Sequence, residues 1–258
     1  MGSCNPITTM KSLNLDAIRE SLIRQEDTII FSLIERSKFP INSPVYSPSL
    51  ASTLSSSKSL LHFFVHQSEA IQSQVGRYES PEEHPFFPDN LPSSLLPQYN
   101  HPQILHPTAA AININETIWD VYVNQLLPLF TTEGDDGNYV PTATSDLQCL
   151  QAISRRIHYG KFVAEVKYLD APEDYGPAIH AQDRDALMEL LTFENVEEML
   201  KRRVEKKARV FAQEVTLSDM DKEEKYKIDP SLLPRLYGEW IMPLTKLVEV
   251  EYLLKRLD

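Results

Sequence analysis

Only seven glycines and two cysteines occur in 258 residues, and each scarcity removes a class of answers. A strand-rich fold needs many tight turns, for which so few glycines are a poor supply. Long stretches instead carry apolar residues three and four apart, the period of a helix. Cys4 and Cys149 stand in neither a C-x-x-C nor a zinc-ligand spacing, which excludes a disulfide framework and a structural metal and fits a reducing compartment. Positive charge is scarce as well. Against 37 Asp and Glu there are 25 Lys and Arg, a formal net charge of −12, the wrong balance for a protein that lays cations along phosphates. No apolar run reaches the length of a membrane span. The N-terminus lacks the apolar core of a secretory signal and the Arg/Ser-rich, acid-poor character of an organelle leader. Gly2 opens no myristoylation signal, because Pro6 stands where Ser or Thr is required. The expectation is a cytosolic, all-α protein that engages neither nucleic acid nor membrane.

Enzyme signatures are also missing. The chain has no G-x-S-x-G elbow, no Walker loop, no G-x-G-x-x-G, no H-E-x-x-H and no cysteine placed as a nucleophile. A reaction that needs no nucleophile, metal or cofactor suits what remains, namely Arg, Lys, Glu and Thr.

What is present is helical periodicity. After residues 1–13, read as a flexible N-terminal segment, Leu15, Ile18, Leu22, Ile29 and Leu33 mark a long amphipathic helix from Leu15 to Arg36, and Pro40 stops its continuation. A Ser-rich surface connection at 47–58 leads to a second helix at 59–78. His62 and His66 stand at i, i+4 within it, but with no third ligand nearby they read as packing or surface residues. Residues 80–107 hold seven of the 18 prolines, so no helix survives there. Phe86 and Phe87 among them point to an ordered loop packed on the body, and the chain reads as one domain, 1–258, in a multi-helix bundle. Helix resumes at 115–130, with a bend at Pro128, and a polar loop spans Thr131 to Thr144. The proline-free stretch 145–169 predicts a central helix, and further helices are expected at 173–180, 183–191, 194–214 and 236–257. The basic run Lys201-Arg202-Arg203 is interleaved with acids and reads as a solvated helix face.

Three features could carry chemistry. On the central helix, Arg156 and Lys167 are eleven residues apart, about three turns, so they share one face with Cα atoms about 16 Å apart. Such a pair brackets a small anion or simply snorkels to solvent. On the last helix, Thr245 and Glu249 share a face within an apolar surface. If buried there, a carboxyl is pushed toward its neutral form and becomes a hydrogen-bond donor. Arg19 lies at the edge of the apolar stripe of the first helix. Taken singly, each is more often structural than catalytic.

The segment Ser154-Arg155-Arg156-Ile157-His158-Tyr159-Gly160-Lys161-Phe162-Val163-Ala164-Glu165 resembles the central helix of eukaryotic chorismate mutases. Leu15 to Pro40, E-S-P-E-E-H-P-F-F-P-D at 79–89, Pro102-Gln103-Ile104-Leu105 and the terminal P-L-T-K-L-V-E-V-E-Y-L-L-K-R-L resemble the same family in the same order, covering nearly the whole chain. The resemblance implies an all-helical homodimer that rearranges chorismate to prephenate without a cofactor. By the same resemblance Arg19 and Arg156 hold the substrate carboxylates, with Thr245 positioning one of them. Lys167 and a protonated Glu249 would donate to the ether oxygen, and Glu197 would accept from the ring hydroxyl. One departure is Phe193, where the fungal pattern has a polar Asn, which puts a side-chain contact at that position in doubt.

Regulated relatives bind aromatic amino acids between subunits, through an Arg pair after the second helix and a Gly-Ser before the central one. Here those positions read Gly76-Arg77 and Val140-Pro141, although Thr144 remains. A lost cation weakens carboxylate capture and proline removes a backbone donor. The resemblance is thus nearest to the unregulated cytosolic plant isoforms. The alternatives are a catalytically silent relative, one that only senses an aromatic amino acid, and a helical scaffold with no small-molecule site.

Overall fold

The computed structural model describes residues 15–48, 58–97, 103–215 and 225–256. The N-terminal segment and most of the Ser-rich connection therefore lie outside the described residues. Eleven α-helices account for most of what is described, and apart from an isolated bridge between Gln213 and Tyr226 no β-structure occurs among those residues.

Helix α1 runs Leu15–Arg36 and buries Ile18, Ile29, Ile30, Leu33 and Ile34. Its last residue, Arg36, is fully buried and saturated. Nε donates to Asp146 at 2.6 Å, Nη1 to the Phe39 carbonyl at 2.9 Å and Nη2 to the Tyr46 hydroxyl at 2.9 Å. Tyr46 and Tyr122 in turn donate to Asp146 at 2.6 and 2.7 Å. Burial alone would weaken the guanidinium charge, but Asp146 and Tyr46 more than offset it and raise the pKa of Arg36.

Helix α2, Leu60–Gln74, starts where Ser59 accepts from the His62 amide at 3.1 Å, and the chain leaves it through Gly76 at φ +79°. The predicted helix at 59–78 therefore stops early, and Arg77–Glu79 form a single tight turn. Within α2, His62 packs against Phe87, ring centroids 4.3 Å apart, and lies nearly parallel to His66. Buried Glu69 accepts from the amides of Phe86 and Phe87 at 2.7 and 2.9 Å, so a carboxylate takes up two backbone donors that the proline-rich stretch has no helix to satisfy.

Helix α3 (Asn115–Val121) passes through a widened π turn, Tyr122–Leu126, into α4 (Leu127–Phe130). The same device recurs near the C-terminus, where α10 (Leu232–Leu236) passes through Tyr237–Ile241 into α11 (Met242–Leu254). Each widened turn precedes a proline, Pro128 or Pro243. A proline ring presses on the carbonyl four residues back and cannot donate to it, and the extra residue in the turn relieves that conflict.

The central helix differs from the expectation at its start and in the middle. Helix α5 begins at Tyr139, six residues early, and ends at His158; α6 then runs Gly160–Asp170. The polar loop is correspondingly shorter. Pro141 sits in the first turn of α5, where a helix needs no amide donor, so it marks a start rather than a barrier. At the junction, His158 accepts from the Ile114 amide at 3.0 Å through Nε2, and stacks on His84 with ring centroids 4.2 Å apart. Buried Lys161 donates to the Ile112 carbonyl at 2.8 Å and contacts His84 Nε2 at 2.6 Å. Burial pulls the Lys161 pKa down to about 7 and that of His158 to about 3. These contacts fasten residues 84 and 112–114 to the rod.

The remaining helices are α7 (Pro172–His180), α8 (Arg184–Leu191), capped by Asp183 accepting from the Ala186 amide, and α9 (Glu194–Ala212). Helix α1 packs along α5, α11 along α6, and α9 against both α1 and α10. Buried side chains from across the chain form one hydrophobic core.

Candidate active site

Six helices, α1, α5, α6, α8, α9 and α11, line a cavity of about 390 Å³. Its wall is apolar, from Leu15, Ile18, Leu22, Val163, Leu191, Val196, Leu200 and Met242. All six residues singled out in the sequence, Arg19, Arg156, Lys167, Glu197, Thr245 and Glu249, line it. The break at Tyr159 does not separate Arg156 from Lys167, which face the same space.

The polar groups make contacts that are long for charged partners. Arg156, 4 % exposed, reaches the Thr245 hydroxyl through Nη1 at 3.4 Å, while its Nε is buried with no partner among the described residues. Thr245 donates to the Ile241 carbonyl at 2.6 Å, in the last position of the widened turn, which orients its oxygen toward Arg156. Lys167 Nζ lies 3.3 Å from Glu249 Oε2. Charge-assisted bonds usually close to about 2.7–2.9 Å, so these donors are only loosely engaged within the protein. Burial raises the pKa of Glu249, opposed by Lys167, Arg156 and Lys246. Arg19 stands at the rim, exposed and held loosely to Asp16 at 3.4 Å.

Two further residues complete the site. Lys246 lines the cavity and donates to Glu197 at 2.9 Å and to the Thr192 hydroxyl at 3.2 Å. It stands three residues before Glu249 on one helix, a spacing that was legible but carried no distinguishing motif. Phe193 places its ring 5.0 Å from Lys167 Nζ. The aromatic side chain thus makes its polar contact with the neighbouring ammonium through the ring face. Four cations and two carboxyls converge in an apolar cavity of a protein whose net charge is −12. Such a site suits a small dianion.

Comparison with known proteins assigns this cavity to a family. The family model described as chorismate mutase type II matches residues 141–250. Chorismate mutase 2 of Arabidopsis thaliana is 64 % identical over 249 residues, covering 95 % of this chain and 94 % of that protein. The chain belongs to the chorismate mutase family. Among other chorismate mutases, the protein of Zea mays named chorismate mutase 2, cytosolic, is 50 % identical over 248 residues, covering 95 % of this chain and 97 % of its own. The crystal structure of AtCM1 with tyrosine bound in its allosteric site superposes with a TM-score of 0.88 at 52 % identity, over 97 % of this chain and 99 % of that one. As a chorismate mutase the chain is an isomerase, and its all-helical architecture is that of the family's solved structures.

The positions aligned with a regulatory site lie elsewhere. Arg77 lines a separate cavity of about 450 Å³ with Glu83, Gln151 and Arg155. Its guanidinium is taken up internally, by Glu83 at 2.8 and 3.0 Å and by Gln151 at 2.7 Å. Gly76, Val140, Pro141 and Thr144 do not line that cavity. Thr144 donates to the carbonyl of exposed Val140 at 2.9 Å.

Proposed function

We propose that this cavity rearranges chorismate to prephenate using only side chains of the protein. The observation that carries the reading is the convergence of loosely engaged donors, above all the buried, unpartnered Nε of Arg156, in an otherwise apolar space. The reaction breaks one carbon–oxygen bond as a carbon–carbon bond forms, with no covalent intermediate. The protein's contribution is to hold the compact conformer of a dicarboxylate and to stabilise negative charge growing on the ether oxygen. Arg156 and rim residue Arg19 take the two carboxylates, and Thr245 aligns one of them. Lys167 turns from Glu249 to the ether oxygen, and Glu249, held toward its neutral form by burial, supplies a second donor. Glu197, anchored by Lys246, accepts from the ring hydroxyl. Loss of chorismate absorbance in a purified sample tests the reading; turnover no faster than the uncatalysed rate would overturn it.

The same reading takes the enzyme to be insensitive to aromatic amino acids. A residue with a side chain at Gly76 would have to adopt φ +79°, so an arginine there is strained. Arg77 is already neutralised by Glu83, and Pro141 offers no amide in a first turn whose free donors would otherwise suit a carboxylate. Micromolar tryptophan or tyrosine should leave the substrate saturation curve unmoved, and a shift would refute this part. The chain is further taken as one domain that assembles as a homodimer in the cytosol. The common core supports the first point, and the exposed Ile71 near the end of α2 and Val75 just past it support the second. The cytosolic Zea mays relative supports the third. Sedimentation that gives a monomer at micromolar concentration would exclude the assembly.

A further inference from the structure

Between the two central cations stands Gly160, a residue with no chemistry of its own. Its φ is not in the left-handed region, so backbone freedom does not explain it, and glycine weakens a helix relative to alanine. The explanation lies across the interface. A Cβ on Gly160 would lie 2.9 Å from the Thr245 carbonyl oxygen, 3.0 Å from Thr245 Cγ2 and 3.2 Å from Glu249 Cγ. Every one of these atoms belongs to a residue that faces Arg156 or Lys167. Gly176, on α7, is the contrast, since a Cβ there would meet nothing within 4 Å.

We infer that Gly160 is a positioning residue of the mutase reaction: its missing side chain lets α11 seat against α6 at the spacing from which Thr245 and Glu249 share the substrate with Arg156 and Lys167. Packed helices are not continuously deformable, and the nearest obstacle is backbone rather than the end of a flexible side chain. A methyl group at 160 therefore moves α11 by a few tenths of an ångström and carries both residues away from their partners. The inference rests on the site proposed above.

The test is Gly160→Ala, with Gly176→Ala as the control and folding checked by circular dichroism and thermal melting. The expected result is a fall in kcat of about tenfold or more, since sub-ångström misplacement is costly in a preorganised site, with a smaller change in KM. The alkaline limb of the pH profile should also move upward, because Glu249 recedes from Lys167 and Arg156, the cations facing it from α6 and α5, while Lys246 travels with it on α11 and Tyr175, near it on α7, stays a neutral phenol. Gly176→Ala should turn over like the parent. Thr245→Ser removes the methyl that Cβ would meet, so Gly160→Ala should cost less in that background than in the parent. A Gly160→Ala protein with parental kcat and pH profile overturns the proposal. So does unfolding in both backgrounds, which would make Gly160 a folding residue. If Arg156→Ala and Lys167→Ala keep turnover, the site itself is wrong. If they lose it and Gly160→Ala does not, only this inference fails.

Discussion

The α5–α6 rod carries two sets of charge that differ in how they are partnered. Asp146 receives Arg36, Tyr46 and Tyr122 at 2.6–2.7 Å, so both of its carboxylate oxygens are closely engaged inside the protein. Three to six turns further along, Arg156 and Lys167 have partners only at 3.4 and 3.3 Å, and one guanidinium nitrogen has none among the described residues. A closed network holds helices together. An open one, kept in an apolar cavity at a cost in desolvation, is a place waiting for an anion. The difference separates structural from functional charges more sharply than burial does, since Arg156 is buried as Arg36 and Asp146 are.

The largest expected effect breaks the closed set. Asp146→Ala leaves Arg36 buried without its counter-charge and should cost about 3–5 kcal/mol of stability, read by chemical denaturation. Turnover per folded molecule should stay close to parental. A large loss of kcat in the folded fraction would mean that the two sets are coupled.

Breaking the open set should have the opposite signature. Arg156→Ala and Lys167→Ala are each expected to lower kcat/KM by 10²–10³ or more, on the order of 3–4 kcal/mol of transition-state stabilisation. Their melting temperatures should change little, because each removes a charge that the fold pairs poorly. Loss of stability together with activity would place these residues in the structural class.

Glu249 tests the comparison through pH. Burial raises its pKa, so the carboxyl is a donor below the shifted value and loses that proton as pH rises through it. Activity should fall on that limb, and Glu249→Gln, which keeps a donor at every pH, should flatten it. The same shift predicts a stability difference. Because the folded state holds the proton more tightly, the Glu249 contribution is lost as pH climbs from the ordinary carboxylate range through the raised value. Glu249→Gln should therefore raise the melting temperature more at alkaline than at acidic pH.

Much of this was legible in the sequence, for identifiable reasons. Helical periodicity located α1, α7, α8 and α9 within a few residues, and the spacing of Arg156 and Lys167 put them on one face. The start of α5 at Tyr139 was missed because the helix was read from the proline-free stretch alone, whereas a first-turn proline needs no donor. The widened turns at Tyr122–Leu126 and Tyr237–Ile241 depend on how a helix relieves a downstream proline, which periodicity does not encode. The Arg36–Asp146 pair joins residues 110 apart, and no local pattern announces it. Spacing likewise left Arg156 and Lys167 open between snorkelling and catalysis. Only the absence of close partners in three dimensions distinguishes the two, and Lys246 entered the site by the same tertiary route.

Phe193 gives the smallest and finest test. In the sequence it appeared as a lost polar contact, whereas in the fold its ring faces Lys167 at 5.0 Å. A cation over an aromatic face gains about 0.5–1 kcal/mol at a partly exposed site, enough to hold the ammonium in the cavity without using up a hydrogen-bond donor. Such a partner preserves the openness that marks the functional set, which an Asp or Glu at 193 would close. Phe193→Leu keeps an apolar wall but removes the ring quadrupole and should lower kcat a few-fold. Phe193→Glu should cost more, by giving Lys167 the short partner that the site otherwise withholds. If Phe193→Leu behaves as the parent while Phe193→Ala does not, the ring serves only as a wall, and the loose engagement of Lys167 has to be explained by Glu249 alone.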